Sequence, residues 1–250
     1  MKTGILVHGC NLGAENWRHI AWGDPPHAFG RIPLGVLLAF EYDASVVVFG
    51  TGASKKEYRF NGHSRGELLE AEYSLEMLKD NFDELGKFTI FKKRCEKFKD
   101  TEEREKIKEK FFRSLFLDLK SMTTPEEVEE AGNEFAEHDI DRVILVSSPT
   151  HIVRCLRDAM NIYRSNPKYA SFCDNIAAIP SFTCYEGTCA KDVVVIEPPH
   201  RPDRHVIPTH RRMERMLKLH KLPYEELIKL IEEFDDMLQQ YEHKFYRLKE

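Results

Sequence analysis

Four consecutive apolar residues, Val143-Ile144-Leu145-Val146, broken at once by Ser147-Ser148-Pro149, constrain this chain more than any other stretch. A run this short and apolar reads as a strand covered on both faces, which requires helices above and below a sheet. Thr150 is placed as the N-cap of a helix beginning at His151, with Ile152, Val153, Leu156 and Ala159 toward the sheet. His151 and Arg154, three residues apart, then share one side of the first turn, near the positive end of the helix. A strand, a small polar loop and a helix start carrying His and Arg together suit an anion.

Two further runs repeat the pattern. Gly4-Ile5-Leu6-Val7 ends at His8-Gly9-Cys10, and Ser45-Val46-Val47-Val48-Phe49 ends at Gly50-Thr51-Gly52. Helices are expected over Pro33–Phe40 and, after a polar loop reaching Gly66, over Glu67–Leu85, where apolar residues recur at three- and four-residue steps. Another helix starts at Thr124 as N-cap, with Pro125 in the first position and Glu126 and Glu127 in the first turn. Asn175–Phe182 and Val193–Ile196 read as the last two strands.

This alternation predicts an α/β fold over residues 1–208, a doubly wound, mainly parallel, Rossmann-like sheet. The Lys, Arg and Glu density between residues 87 and 120 reads as an exposed helical insertion. Residues 209–250 read as C-terminal helices packed on the domain, or else as a homodimer contact. Ligands of such sheets lie beyond the carboxyl ends of the strands. His8, Gly9, Cys10, Gly50, Thr51, Gly52, Ser147 and Ser148 are therefore expected to converge with His151 and Arg154.

A net charge of -5 argues against an extended nucleic-acid surface. No apolar run approaches the roughly 20 residues that cross a bilayer. A first strand at Gly4 or Ile5 leaves no room for a signal peptide, so the expectation is a cytoplasmic chain. Its cysteines, without a C-x-x-C pair, read as reduced thiols. Cys173, Cys184 and Cys189 have loose spacing for zinc, and no metal is expected. Gly62-His63-Ser64-Arg65-Gly66 matches the G-x-S-x-G elbow of a serine hydrolase, with His200, His205 or His210 as base. The preceding segment is too polar for the buried strand such an elbow needs, which favours an exposed loop serine.

Taken in order, these pieces resemble the YdcF-like family, which includes SanA and ElyC. The counterparts are Gly9-Cys10, then Gly50-Thr51-Gly52, then Glu67 or Glu70. Thr124-Pro125-Glu126-Glu127 follows, and last Ser147-Ser148-Pro149-Thr150-His151-Ile152-Val153-Arg154. Cys10 stands where the family has glycine, and Glu127 where it has asparagine. The resemblance implies a Rossmann-like fold binding a nucleotide-like or phosphorylated small molecule, with S-adenosylmethionine among the candidates. His151 is then an anion-binding group and acid, Arg154 an anion clamp, and Glu126 or Glu127 the base. Cys10 is either an activated thiol or a small packing residue. His200, Arg201, Asp203, Arg204 and His205 either complete the pocket or form a solvated loop. An enzyme, hydrolase or transferase, is the expected class; a non-catalytic nucleotide or S-adenosylmethionine sensor is the alternative.

Overall fold

A computed structural model describes residues 1–185 and, beyond them, the single positions Glu226, Lys229 and Glu233, which are helical and exposed. The chain divides into a unit Met1–Val194 and a unit Val195–Glu250, and every element below belongs to the first. The strand expected at Val193–Ile196, the polar cluster at 200–205 and the terminal helices lie outside the described residues, those three positions excepted.

Strand β1 (Thr3–Val7) is followed by a short helix α1 (Trp17–Ala21) and a two-residue antiparallel pair, β2 (Gly23–Asp24) and β3 (Ala28–Phe29). Helix α2 (Arg31–Glu41) then leads to β4 (Val46–Phe49). Next come a hairpin, β5 (Lys55–Phe60) and β6 (His63–Leu69), and the helices α3 (Glu70–Asn81), α4 (Thr89–Arg94) and α5 (Thr101–Ser114). Strand β7 (Leu115–Leu117), α6 (Thr124–Glu137), β8 (Arg142–Ser147), α7 (Pro149–Ser165) and β9 (Ile176–Pro180) complete the described fold.

The five strands of the main sheet run in the order β7-β4-β1-β8-β9, and every pairing is parallel. This is a Rossmann-like α/β fold. Because side chains alternate across a strand, each apolar run feeds two cores. Ile5, Val7, Val47, Phe49, Ile144 and Val146 pack with α2, α3, α4 and α5 on one face. Leu6, Val46, Val48, Val143 and Leu145 pack with α6 and α7 on the other. The chain moves one way from β1 to β4 and the other way at β8, so strand order reverses between β1 and β8. At that point the carboxyl ends of neighbouring strands diverge and open a crevice.

Three expectations are corrected. Residues 55–66 are no loop: they form most of the β5–β6 hairpin, turned at Asn61 and Gly62, both at positive φ. An Asn-Gly pair with both φ values positive is a type I′ turn, the tightest link between antiparallel strands. Residues 87–120 are no exposed insertion either. The charged faces are solvated, but Phe88, Phe91, Phe98 and Phe111 are buried in the first core, and β7 forms the sheet edge beside β4. Four widely spaced aromatics supply the anchors that the charge density hides. Helix α7 starts two residues early, with Ser148 as N-cap and Pro149 first, because proline suits a position whose N–H needs no partner. Its fully buried stripe is Ile152, Cys155, Ala159 and Tyr163, and the expected Val153 and Leu156 pack half-buried against the same core.

The burial of α4 leads to a prediction. Phe91→Ala removes a fully buried ring and should destabilise the domain by about 3–5 kcal/mol in urea unfolding. A loss below roughly 0.5 kcal/mol, the ordinary surface value, would restore the exposed-insertion reading.

Candidate functional site

Four helices start along the carboxyl edge of the sheet, and each delivers a charged or polar group there. Arg31 opens α2 and is 1% exposed. Its guanidinium donates to the carbonyls of His8 and Gly9, to Ser148 Oγ, and to the Tyr185 hydroxyl at 3.3 Å. It thereby ties the loop after β1 to the loop after β8, across the reversal of strand order. A guanidinium in this setting survives because its donors reach acceptors fixed by the backbone. Its Nε is buried with no hydrogen-bond partner among the described residues.

Glu127, in the first turn of α6, is buried and fully engaged. Its Oε2 accepts from His8 Nδ1 at 2.5 Å and its Oε1 from the Gly9 N–H at 2.6 Å. Burial opposes a charge on His8, yet the Cys155 sulfur and the Glu127 carboxylate beside it hold the imidazole up at about 10. Gly9 and Gly50 are glycines for a steric reason. A Cβ on Gly50 would stand 1.9 Å from Glu127 Oε1, and one on Gly9 would stand 2.4 Å from Glu70 Oε2. Glu70, the first residue of α3, accepts from Ser54 Oγ at 2.5 Å, and burial pushes its carboxyl up.

His151 occupies the first turn of α7. Its Nδ1 meets Ser147 Oγ at 2.9 Å, and its Nε2 accepts from Arg154 Nη2 at 2.9 Å. Arg154 also donates to Thr124 Oγ1 at 2.8 Å. Accepting from a guanidinium at Nε2 assigns the proton to Nδ1 and leaves the ring neutral. Burial, with the charges of Arg31, His8 and Arg154 around it, drives His151 down to about 2. The two histidine rings stand edge to face, 5.9 Å apart, and carry opposite tendencies.

Of the residues expected to converge, His8, Gly9, Gly50, Gly52, Glu127, Ser147, Ser148, His151 and Arg154 are joined by these contacts, and Thr51 sits buried between the two glycines. Two are corrected. Glu126 is exposed and accepts from the N–H groups of Met122 and Thr123, so it caps α6 instead of facing the crevice. Glu67 lies exposed on β6, and its place is taken by Glu70, the residue at which the helix begins. Cys10 is buried with its Sγ toward the Trp17 carbonyl, and burial raises its thiol. That favours the packing role over an activated thiol.

Arg31 and Asp118 were missed by sequence reasoning. The signal for Arg31 was a single arginine at the mouth of an otherwise apolar helix, where a charge must find buried partners. Asp118 follows β7, a strand concealed by the charged segment before it. Ser64 sits exposed on the hairpin with its Oγ accepting from the Gly66 N–H at 3.3 Å. The strand-to-helix elbow a nucleophile would need is replaced by antiparallel pairing. Histidines 200, 205 and 210, its suggested bases, lie outside the described residues.

No three metal-ligating side chains gather among the described residues, and Cys189 is not one of these. A cleft of about 170 Å³ between α2 and α5 lies instead at the amino end of β4. Its Lys110 is paired with Asp43 and its Lys106 with Glu102 and Glu103, which leaves both of these ammonium groups already neutralised. No helix among the described residues is long and apolar enough to cross a membrane. No family model matches the chain, and neither curated proteins nor solved structures provide a match.

The two histidines make stability depend on pH from both sides. His8 is raised from 6.5 to about 10, so its contribution is fully present below pH 6.5 and is lost as pH rises through 10. His151 is lowered from 6.5 to about 2, so its contribution is present above pH 6.5 and is lost as pH falls toward 2. Urea unfolding from pH 4 to 10 should therefore show a flatter acid limb for His151→Gln and a flatter alkaline limb for His8→Gln than for wild type. Parallel curves for all three proteins would remove this charge assignment.

Proposed function

We propose that this chain is a cytoplasmic enzyme, a hydrolase or transferase, that binds a phosphorylated or nucleotide-like small molecule at the carboxyl edge of its sheet. One observation carries the reading. Arg154 is exposed at the amino end of α7, where the helix dipole already disfavours a cation, and no carboxylate among the described residues pairs with it. Its partners are the neutral Thr124 hydroxyl and the neutral His151 ring. A salt bridge to Glu126 or Glu127 would have made it structural; Glu126 caps α6 and Glu127 holds His8. An anion supplies the missing charge.

The same arrangement gives roles to the other groups. An anion between His151 and Arg154 offsets the cations that depress His151 and raises its affinity for a proton. The ring then donates to a phosphate oxygen or a leaving group as a general acid. Glu127 serves His8 and Gly9 with both oxygens and keeps the loop after β1 in place, so it is a positioning residue. Glu70, raised by burial and next to Gly9 and Gly52, is the carboxylate we assign as base. The resemblance to the YdcF-like family points the same way, since the counterparts of its motifs meet at one edge. S-adenosylmethionine, a nucleotide and a sugar phosphate are the ligand classes that fit.

A thermal-shift panel of S-adenosylmethionine, nucleotides, nucleotide sugars, sugar phosphates and pyrophosphate, each with and without magnesium, tests the reading. A ligand at about 100 times its Kd should stabilise the wild type by about 2.7 kcal/mol. That gain should vanish in Arg154→Ala, whose ligand-free fold should persist. Equal stabilisation of both proteins would place the site elsewhere. Turnover of the bound ligand, lost in His151→Ala with affinity less affected, separates the enzyme from a sensor, which would lose binding alone.

A further inference from the structure

The cleft between α2 and α5 stands at the amino end of β4, at the opposite end of the sheet from the crevice. Its floor is apolar. Val36, Ala39 and Phe40 come from α2, and Ile107 and Phe111, four residues apart, come from α5. Val36, Ala39 and Phe111 are buried, whereas Phe40 and Ile107 are half-buried and form the open part of the slot. The slot measures about 170 Å³. An apolar void of about 150 Å³ accepts a benzene ring, so this one takes a single ring or a branched aliphatic group.

The mouth carries both signs of charge. Lys106 and Lys110 stand one turn apart on α5, beside the stripe of Ile107 and Phe111. Asp43 comes from the end of α2, where the backbone is fixed: the Ala44 N–H donates to the Ala39 carbonyl at 2.9 Å, and Asp43 itself stands at φ 51°. Lys110 pairs with Asp43 across the mouth. Outside the slot, Asp43, Lys106 and Lys110 also line a wider depression of about 420 Å³, together with Glu109 and Arg113, which pair with each other. The Lys110 and Asp43 side chains are 64% and 80% exposed. An ion pair this open is held weakly, so a ligand can part it.

We propose that this cleft is a second binding site, for a free amino acid with an apolar side chain of the size of leucine or phenylalanine. The side chain occupies the slot, the α-ammonium meets Asp43, and the α-carboxylate meets Lys110 and Lys106. The ligand thus inserts into the existing ion pair and leaves neither partner uncompensated. An apolar acid without an ammonium would draw Lys110 from Asp43 and set its own carboxylate beside the acid left unpaired. An apolar amine would face two ammonium groups. A small polar amino acid would leave the floor of the slot in water. The proposal goes beyond the reading of the crevice and does not depend on it.

Calorimetric titration of the whole chain tests this. L-phenylalanine is compared with hydrocinnamate, which lacks the ammonium, and with phenethylamine, which lacks the carboxylate. L-leucine is compared in the same way with isocaproate and isoamylamine. Wild type should bind at least one of these amino acids about tenfold or more tightly than either of its analogues, because each deletion leaves a charged hydrogen bond unmade. Asp43→Asn retains the left-handed backbone, which asparagine also adopts, and should lose the preference over the acid analogue while unfolding as wild type does. Lys110→Met keeps an apolar stem at the rim and should lose the preference over the amine. Arg154→Ala should bind the amino acid as wild type does, so failure of the anion site leaves this site standing. No binding of either amino acid, an analogue bound as tightly as its parent in both series, or a preference that survives both rim substitutions overturns the proposal. Binding that is lost in Arg154→Ala belongs to the crevice and overturns it as well.

Discussion

A guanidinium buried where strand order reverses is the contact on which the rest of this edge depends. Arg31 reaches the carbonyls of His8 and Gly9 from one side and Ser148 from the other. Those residues begin the two loops that part at the crevice, so a single side chain determines how far they separate. Burying such a charge is expensive unless most of its donors are met, and backbone carbonyls meet them with little added entropy. Glu127 repeats the device from the opposite face of the sheet, holding the His8 ring and the Gly9 N–H with its two oxygens. Between them the loop after β1 is held from both cores.

This bracing separates two electrostatic halves. On the β8 side, Arg154 and a neutral His151 stand at a helix start with no acid beside them among the described residues. On the β4 side, Glu70 and Glu127 flank the Gly50-Thr51-Gly52 turn closely enough that no side chain larger than hydrogen fits at Gly50. The dependence runs in both directions: Glu127 can approach because Gly50 is bare, and Gly50 must stay bare because Glu127 is there. The edge is therefore cationic on its β8 side and acidic on its β4 side.

Much of the scaffold was legible from periodicity. Each of the three apolar runs ending in His8-Gly9-Cys10, Gly50-Thr51-Gly52 and Ser147-Ser148 is a central strand, because three or four branched apolar residues in a row, stopped by small polar ones, suit a strand covered on both faces. The segments that failed were those whose anchors are sparse. The hairpin buries essentially Tyr58 alone, so its hydrophobic pattern is faint, although Asn61-Gly62 announced its turn. The α4 to α5 segment displays its charges and hides four phenylalanines. Of the site, the histidines, glycines and serines were legible because they follow strands directly.

Which carboxylates belong to the site was a tertiary decision. Glu126 and Glu127 are neighbours with the same chemistry, and Glu67 and Glu70 differ by three positions. A sequence assigns residue type and order along one element, and by itself it determined that the sheet would be parallel, doubly wound and open at the ends of these strands. Where a helix begins, and which way its first turn faces, depends on how it docks against strands far away in the chain. That docking turned Glu126 to its own helix end and Glu127 inward, left Glu67 in solvent, and buried Arg31. Burial and distance, which set charge and partner, exist only once those elements meet.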